Sequence, residues 1–144
     1  MSTQLARPLL RAGDRVALVA CSDGLTARDE PELARLRTVL ADLGLAVTES
    51  PLLFDAADIP GRAAVLEECF EDAGIAAILD VSGGDLAGAV LTHLDLDVVA
   101  RHPTPFFGYS DLTTIANAIQ PHTPVHLWTA RNLVRSDGAT QVDR

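Results

Sequence analysis

Short apolar runs alternate with stretches of helical periodicity along most of the chain. Buried strands are predicted by the apolar runs at 15–20, 45–48, 75–81 and 106–109, with a candidate fifth strand at 125–128. Apolar residues recur at three- and four-residue spacing in the predicted helices 32–43, 63–73, 86–94 and 111–120, and a short helix or turn is predicted at 95–101. Gly44 and Gly74 follow the first two helices, where a helix C-cap belongs.

This alternation of strand and helix predicts the fold class. Strands separated by helices form a mainly parallel sheet with helices on both faces, joined by right-handed crossovers. The run at 75–81 is the most continuously apolar and should be a central strand, covered on both sides. We therefore expect an α/β, three-layer arrangement of the flavodoxin-like or class I glutamine amidotransferase-like type. It would occupy 13–130, between an N-terminal extension at 1–12 and a polar C-terminal tail at 131–144.

Composition and charge narrow the possible functions. The 144 residues suit one domain, and 48% hydrophobic with 4% aromatic residues favours a layered aliphatic core. A net charge of -9 argues against nucleic acid and anionic membrane surfaces as partners. No apolar stretch approaches the ~20 residues of a membrane span, and the start lacks a signal-peptide core, so a cytoplasmic location is expected.

The sequence favours no metal or cofactor. Cys21 and Cys69 lie far apart and form no metal-ligand spacing, so both are interpreted as buried thiols. The acidic residues are too scattered for a metal cluster or a paired acid/base site. No phosphate loop or dinucleotide fingerprint is present.

Ser110 is the strongest candidate for chemistry. It lies between a predicted strand and a predicted helix, at the carboxyl edge of the sheet where ligand sites of α/β folds gather. A serine on such a turn projects its hydroxyl above the sheet, and the N–H groups that follow can face an oxyanion. The segment Gly108-Tyr109-Ser110-Asp111 lacks the second glycine of G-x-S-x-G, so the pattern alone is more typical of a helix N-cap than of a nucleophile.

A second glycine-marked turn reaches the same edge. Gly83-Gly84 follows the strand at 75–81 and could bring a backbone N–H close to a ligand, or could simply meet a need for positive φ. The backbone N–H of Asp111 is the other candidate oxyanion donor. The Asp111 carboxylate, in a first helical turn, is expected to interact with the helix dipole.

Four motifs occur in an order that resembles the S66 serine peptidases. They are Gly13-Asp14-Arg15-Val16-Ala17-Leu18-Val19-Ala20, Ser82-Gly83-Gly84-Asp85, Leu94-Asp95, and Phe107-Gly108-Tyr109-Ser110-Asp111-Leu112-Thr113. The resemblance spans about 13–128. The S66 family includes LD-carboxypeptidases of peptidoglycan recycling and the related microcin C self-immunity hydrolases.

The resemblance implies roles for individual residues. Ser110 matches the nucleophile, and the backbone of Gly84 and Asp111 matches the oxyanion hole. Gly83, Asp85 and Tyr109 are the implied substrate-binding residues. The implied substrate is a short cell-wall peptide or muropeptide, whereas the self-immunity relatives cleave an aminoacyl or peptidyl part from a nucleotide-like group.

Three positions depart from the family pattern. Cys21 stands where a proline is usual, and Ser82 stands where an arginine is frequent. The segment 126–128 corresponds only loosely to a family segment that usually contains His-Gly-Pro, which affects the expected wall of the substrate site.

The resemblance also implies a catalytic base that this sequence does not match. Family members continue into a second domain, whose glutamate and histidine complete the triad, whereas this sequence ends at Arg144. The helix after Ser110 should hold the Pro121 region about 15 Å away, so His122 and His126 are not expected to act, and His93 and His102 flank another helix. The chain alone is therefore expected to be inactive. The alternatives are a catalytically silent binding or interaction module, or half of a split enzyme, with a homodimer or a separate C-terminal-domain partner.

Overall fold

Five parallel strands form one sheet in the computed structural model, which describes residues 9–134. The strands are β1 (Arg15–Val19), β2 (Ala46–Glu49), β3 (Ile75–Asp80), β4 (Phe106–Gly108) and β5 (Val125–Leu127). Their order across the sheet is β2-β1-β3-β4-β5, and every neighbouring pair is parallel. This is the flavodoxin-like doubly wound order, so the predicted α/β fold class is confirmed.

Helices cover both faces of the sheet, as the sequence predicts. They are α1 (Glu30–Asp42), α2 (Ile59–Glu71), α3 (Ala87–Leu91), α4 (Leu96–Arg101) and α5 (Thr113–Ile119). On one face, α1 buries Leu33, Leu36 and Leu40 against alternate residues of β1 and β3. On the other face, the four remaining helices pack around Phe70 and Phe106. The sheet therefore lies between two apolar layers, and its carboxyl edge is left for loops.

The helix α2 begins at Ile59, four residues before the predicted start, so the prediction that Pro60 lies in a loop is wrong. The Asp58 side chain accepts a hydrogen bond from the N–H of Gly61 at 2.9 Å and caps the helix. Proline fits the first helical turn because the N–H it lacks would have no partner inside the helix. The predicted helix at 86–94 is also shorter than expected and ends at Leu91.

The end of the described chain folds back onto the sheet. After β5, Ala130–Leu133 form a 3₁₀ turn that packs against α1, with Ala130 and Val134 buried. Residues 131–134 of the predicted polar tail thus contact the domain. Residues 1–8 and 135–144 lie outside the described part, and the predicted domain boundaries stay a prediction. Within residues 9–134, no helix is long and apolar enough to cross a membrane.

Candidate active site

Ser110 adopts a strained conformation directly after β4. Its φ is 64°, and it is the one non-glycine residue with positive φ in the described range. Residues with a side chain rarely adopt this left-handed region, and such strain is typical of functional turns. Gly108 makes the sharp turn possible, since a Cβ there would lie 2.8 Å from the Phe106 ring and 3.1 Å from Leu112 Cβ. Ser110 therefore stands exposed on a tight strand-to-helix turn.

Residues 82–85, which we call the glycine turn, lie against Ser110. A Cβ at Gly83 would sit 3.4 Å from Ser110 Cβ and 3.6 Å from Ser110 Oγ, so the turn approaches the serine with bare backbone. Gly84 has a φ of 138°, and a Cβ there would overlap the Asp23 carboxylate. Asp23 also accepts a hydrogen bond from the N–H of Asp85 at 3.1 Å. Only glycine fits position 84.

The Asp111 carboxylate joins three segments of the edge. Its Oδ2 accepts hydrogen bonds from the Ser22 hydroxyl at 2.7 Å and from the N–H of Ala87 at 3.0 Å. Ala87 is the first residue of α3. The Asp111 carboxylate was expected to interact with the dipole of the helix that follows Ser110, but its hydrogen bond reaches α3 instead. Its Oδ1 is buried without a hydrogen-bond partner among the described residues. Through Asp111, the serine turn is fixed to the loop after β1 and to the start of α3.

A buried carboxylate holds the ends of β1 and β3 together. Asp80 accepts hydrogen bonds from the N–H of Cys21 at 2.8 Å, and from the N–H and hydroxyl of Ser82 at 2.8 and 2.7 Å. The Ser82 oxygen accepts in turn from the N–H of Ser22 at 3.0 Å. Burial raises the pKa of Asp80 from 3.8 to about 6, against the opposing effect of its hydrogen bonds from Ser82 and Cys21.

This arrangement gives a physical meaning to two departures from the family pattern. A proline at position 21 has no N–H and could not donate to Asp80, whereas Cys21 does. The Ser82 side chain reaches the same carboxylate, so the two unusual residues belong to one network. The Cys21 thiol is buried, and burial, followed by the charge of Asp80, raises its pKa well above the ordinary value, which disfavours the reactive thiolate.

Arg62 is a buried arginine that sequence patterns did not single out. It lies in the first turns of α2 with 1% of its surface exposed. Its guanidinium donates to the carbonyls of Ala20 and Ser22 after β1, and to those of Leu52 and Asp55 after β2. One side chain thus satisfies four loop carbonyls and fixes the segment that presents Ser22 to Asp111.

A cleft of about 230 Å³ opens beside Ser110. Its lining residues are Ser82, Gly83, Tyr109, Ser110, Thr129 and Arg131. Three of the residues implied by the resemblance, Gly83, Tyr109 and Ser110, therefore line one cleft. The others, Gly84, Asp85 and Asp111, are their chain neighbours but lie outside this lining.

The segment 129–131, which we call the wall, is the part of the cleft that the sequence did not reveal. Thr129 is buried and accepts a hydrogen bond from the N–H of Arg131 at 3.3 Å. Arg131 forms ion pairs with Asp29 at 2.8 Å and with Glu32 at 2.6 Å, at the start of α1. The sequence did contain a signal for the wall. The wall follows β5, and the carboxyl ends of parallel strands meet at one edge of the sheet.

The N–H groups beside Ser110 are suited to receive an anion. The N–H of Gly84 forms no hydrogen bond within residues 9–134. Asp111 lies in the first turn of the 3₁₀ segment Ser110–Leu112, where N–H groups lack an intrahelical partner. Both remain predicted oxyanion donors.

The four histidines lie on elements other than the turn that carries Ser110. His102 and His122 precede β4 and β5, so they lie toward the opposite edge of the sheet. His126 is within β5, where its ring stacks on Phe107 with centroids 4.4 Å apart. His93 follows α3. Within the described range, no histidine is hydrogen bonded to the serine hydroxyl, and the sequence contains no lysine.

Sequence comparison relates this chain to carboxypeptidases. The family model Peptidase_S66, described as the LD-carboxypeptidase N-terminal domain, matches residues 16–130. YocD of Bacillus subtilis (strain 168), named as a carboxypeptidase, is 32% identical over 119 residues, covering 79% of this chain and 37% of YocD. Another protein of that strain, named as a murein peptide carboxypeptidase, is 31% identical over 119 residues, covering 79% and 36%. The chain thus spans little more than a third of the length of these curated relatives.

Comparison with solved structures supports the same relationship. The crystal structure of an MccF-like protein from Bacillus anthracis str. Ames has a TM-score of 0.71 and 27% identity to this chain. The similarity covers 84% of this chain and 40% of that one.

Proposed function

The chain belongs to the S66 peptidase family, matching its LD-carboxypeptidase N-terminal domain, and on that premise we propose that Ser110 is the nucleophile of an amide hydrolase. The observation that carries the proposal is the strained φ of Ser110 on a turn that lines the cleft. A serine that served only as a helix cap would have no need of the left-handed conformation, because N-cap residues adopt extended backbone.

The proposed reaction is acyl transfer through the serine. Ser110 Oγ attacks the carbonyl carbon of the scissile amide, and its proton passes to a base and then to the leaving amine. The N–H groups of Gly84 and Asp111 would donate to the oxygen that becomes negative in the tetrahedral intermediate. Water then releases the acyl group from Ser110 and restores the hydroxyl.

The base is the part of the reaction that residues 9–134 do not supply. A serine hydroxyl needs an adjacent base at neutral pH, and no histidine is hydrogen bonded to the Ser110 hydroxyl within the described residues. We therefore expect a glutamate and a histidine to come from another segment or another chain, and we expect the given chain to be inactive alone. Tyr109, which lines the cleft and is 59% exposed, is an aromatic side chain that such a segment would cover.

The proposed substrate is a short cell-wall peptide, and the proposed place of its hydrolysis is the cytoplasm. Support comes from the relative named as a murein peptide carboxypeptidase. The likeness to MccF, which was solved in complex with glutamyl sulfamoyl guanosine, keeps open an aminoacyl group attached to a nucleotide-like part. The same serine chemistry serves either substrate.

A chimera tests the proposal. Residues 16–130 of this chain would replace the matching third of YocD, so that the rest of YocD supplies the base. With an L,D-linked tetrapeptide, we expect release of the terminal residue by the chimera and none by the chain alone. Ser110→Ala in the chimera should abolish release. Release by the chain alone, or by the Ser110→Ala chimera, would contradict the proposal.

Two glycines provide a matched control for the oxyanion role. In the chimera, Gly84→Ala adds a methyl group in a positive-φ turn and against Asp23. It should lower the kcat of the chimera by about 100-fold, as the loss of one oxyanion donor does. Gly88→Ala, in α3, meets no atom within 4 Å and should leave kcat unchanged. Equal effects of the two changes would count against the oxyanion role of the glycine turn.

The second candidate function is a peptide-binding module without catalysis. It is favoured by the position of the four histidines, since the cleft is formed without a base in the described residues. A folded chimera that binds the tetrapeptide but releases nothing would favour this candidate over the hydrolase.

A further inference from the structure

Arg131 separates two cavities of opposite character. One is the cleft beside Ser110, and among the described residues that line it Arg131 alone is charged. The other cavity lies between the wall and α1 and is lined by Asp29, Glu32 and several apolar residues. Both acids that pair with Arg131 are thus on the α1 side, and the cleft contains no acidic side chain.

The hydrogen bonds of Arg131 leave a donor available. A guanidinium has five N–H groups. Nε donates to Glu32 at 3.0 Å, and Nη2 donates to Asp29 at 2.8 Å and to Glu32 at 2.6 Å. Nη1 makes one long bond, 3.4 Å, to the carbonyl of Val81. The second N–H of Nη1 forms no hydrogen bond within the described residues. It is therefore the N–H that can donate to a ligand.

The acidic partners hold Arg131 in place and keep its guanidinium protonated. Hydrogen bonds to Glu32 raise the pKa of Arg131 above its ordinary value. Burial alone would raise the pKa of Asp29, but hydrogen bonds from the N–H of Thr26 and from Arg131 lower it below its ordinary value. Both acids lie at the start of α1, where the positive end of the helix dipole offsets part of their charge.

We propose that Arg131 binds the free carboxylate of the C-terminal residue of a peptide whose scissile carbonyl lies at Ser110. The inference rests on the proposed function, because it places the last residue of the substrate between the serine turn and the wall. The guanidinium of Arg131 is held at Nε and Nη2 and keeps one N–H of Nη1 without a partner in the described residues. A donor that is already held in place is preorganised for an anion. Arg131 would thereby restrict the site to the last peptide bond of a chain.

The experiment compares two ligands that differ in one group. The probes are N-acetyl-L-alanyl-D-alanine, which has a free carboxylate, and its C-terminal amide. Binding to the full chain is followed by chemical shifts of ¹⁵N-labelled amides, with Ser110→Ala present to exclude turnover. We expect the acid to bind at least about tenfold more tightly than the amide, the contribution of one charged hydrogen bond.

Matched variants assign the preference to Arg131. Arg131→Gln should reduce the preference for the acid to less than about twofold. Arg131→Lys keeps the charge but loses the fork, and should retain an intermediate preference. Arg37→Gln removes an arginine that also pairs with a glutamate, Glu49, but lies on the outer surface of α1, and it should leave the preference unchanged.

Three results would overturn the inference: equal binding of acid and amide by the Ser110→Ala chain with Arg131 intact, no binding of either probe, or a preference that survives in a folded Arg131→Gln variant. These results are separable from failure of the proposed function. An active chimera, together with no carboxylate preference in the full chain that contains Arg131, would remove only the role of Arg131. A carboxylate preference together with a chimera that stays active as Ser110→Ala would remove the role of the serine and leave the binding site.

Discussion

The glycine turn and the wall line the same cleft, but they are held by different forces. The glycine turn is fixed at Ser82 by buried hydrogen bonds with Asp80 and with the N–H of Ser22, while Arg62 holds the neighbouring loop after β1. The wall is held by ion pairs whose side chains remain 20–24% exposed. Buried supports fix geometry and respond little to salt, whereas exposed ion pairs are weak and screened. The glycine turn is therefore suited to a fixed chemical step, whereas the stability that the wall contributes should depend on salt.

The largest effect that would test this comparison is expected at Arg62. Arg62→Met removes donors from four loop carbonyls and should lower the free energy of unfolding by about 4 kcal/mol, since buried polar groups without partners are costly. Urea unfolding measures the loss. Arg37→Met, which removes a surface ion pair, should cost less than about 1 kcal/mol. If the two variants were equally stable, the buried supports would not be the stronger ones.

The next effect concerns pH and the Asp80 carboxylate. Its pKa is higher in the folded protein, about 6, than its ordinary value of 3.8, so the folded state holds the proton more tightly. The stability from this group is fully present below pH 3.8 and is lost as the pH rises to about 6. The difference between the two values corresponds to about 3 kcal/mol.

Asp80→Asn isolates that contribution. The free energy of unfolding of the unsubstituted chain, measured relative to Asp80→Asn, should fall by about 3 kcal/mol between the two pKa values. Urea unfolding at several pH values between 3.5 and 6.5 measures it. Parallel pH profiles of the two proteins would show that Asp80 does not titrate in this window.

The smallest effect is expected at the wall. Arg131→Gln should lower the free energy of unfolding by about 1 kcal/mol at low salt, because its ion pairs are only partly buried. In 1 M sodium chloride, where the screening length is about 3 Å, more than half of that loss should disappear. The loss caused by Arg62→Met should not change with salt. A salt-independent Arg131→Gln loss would place the wall among the rigid supports.

The sequence predicts the sheet and most of its helices, but not every boundary. Periodicity was sufficient for the sheet and its covering helices, because strands and helices bury apolar residues at their own repeats. The turn at Ser110 was predicted from the same alternation, and its positive φ is consistent with the nucleophile interpretation. Pro60 was misplaced because a proline signals both a loop and a first helical turn.

The supports of the cleft were beyond a pattern-based prediction. An arginine in a helical pattern is ordinarily a surface residue, and the burial of Arg62 depends on carbonyls presented by loops after two other strands. Arg131 acquires its position from Asp29 and Glu32, about a hundred residues earlier in the sequence. Such partners are set by the assembled sheet and leave no local periodicity.

The bond between Ser22 and Asp111 has a consequence for the order of folding. It joins residues 89 positions apart, and it links the first strand to the turn after the fourth. Long-range contacts of this kind require loop closure before they contribute stability. We therefore expect the cleft to form only when the sheet is nearly complete. The serine turn should then reach its native conformation late in folding.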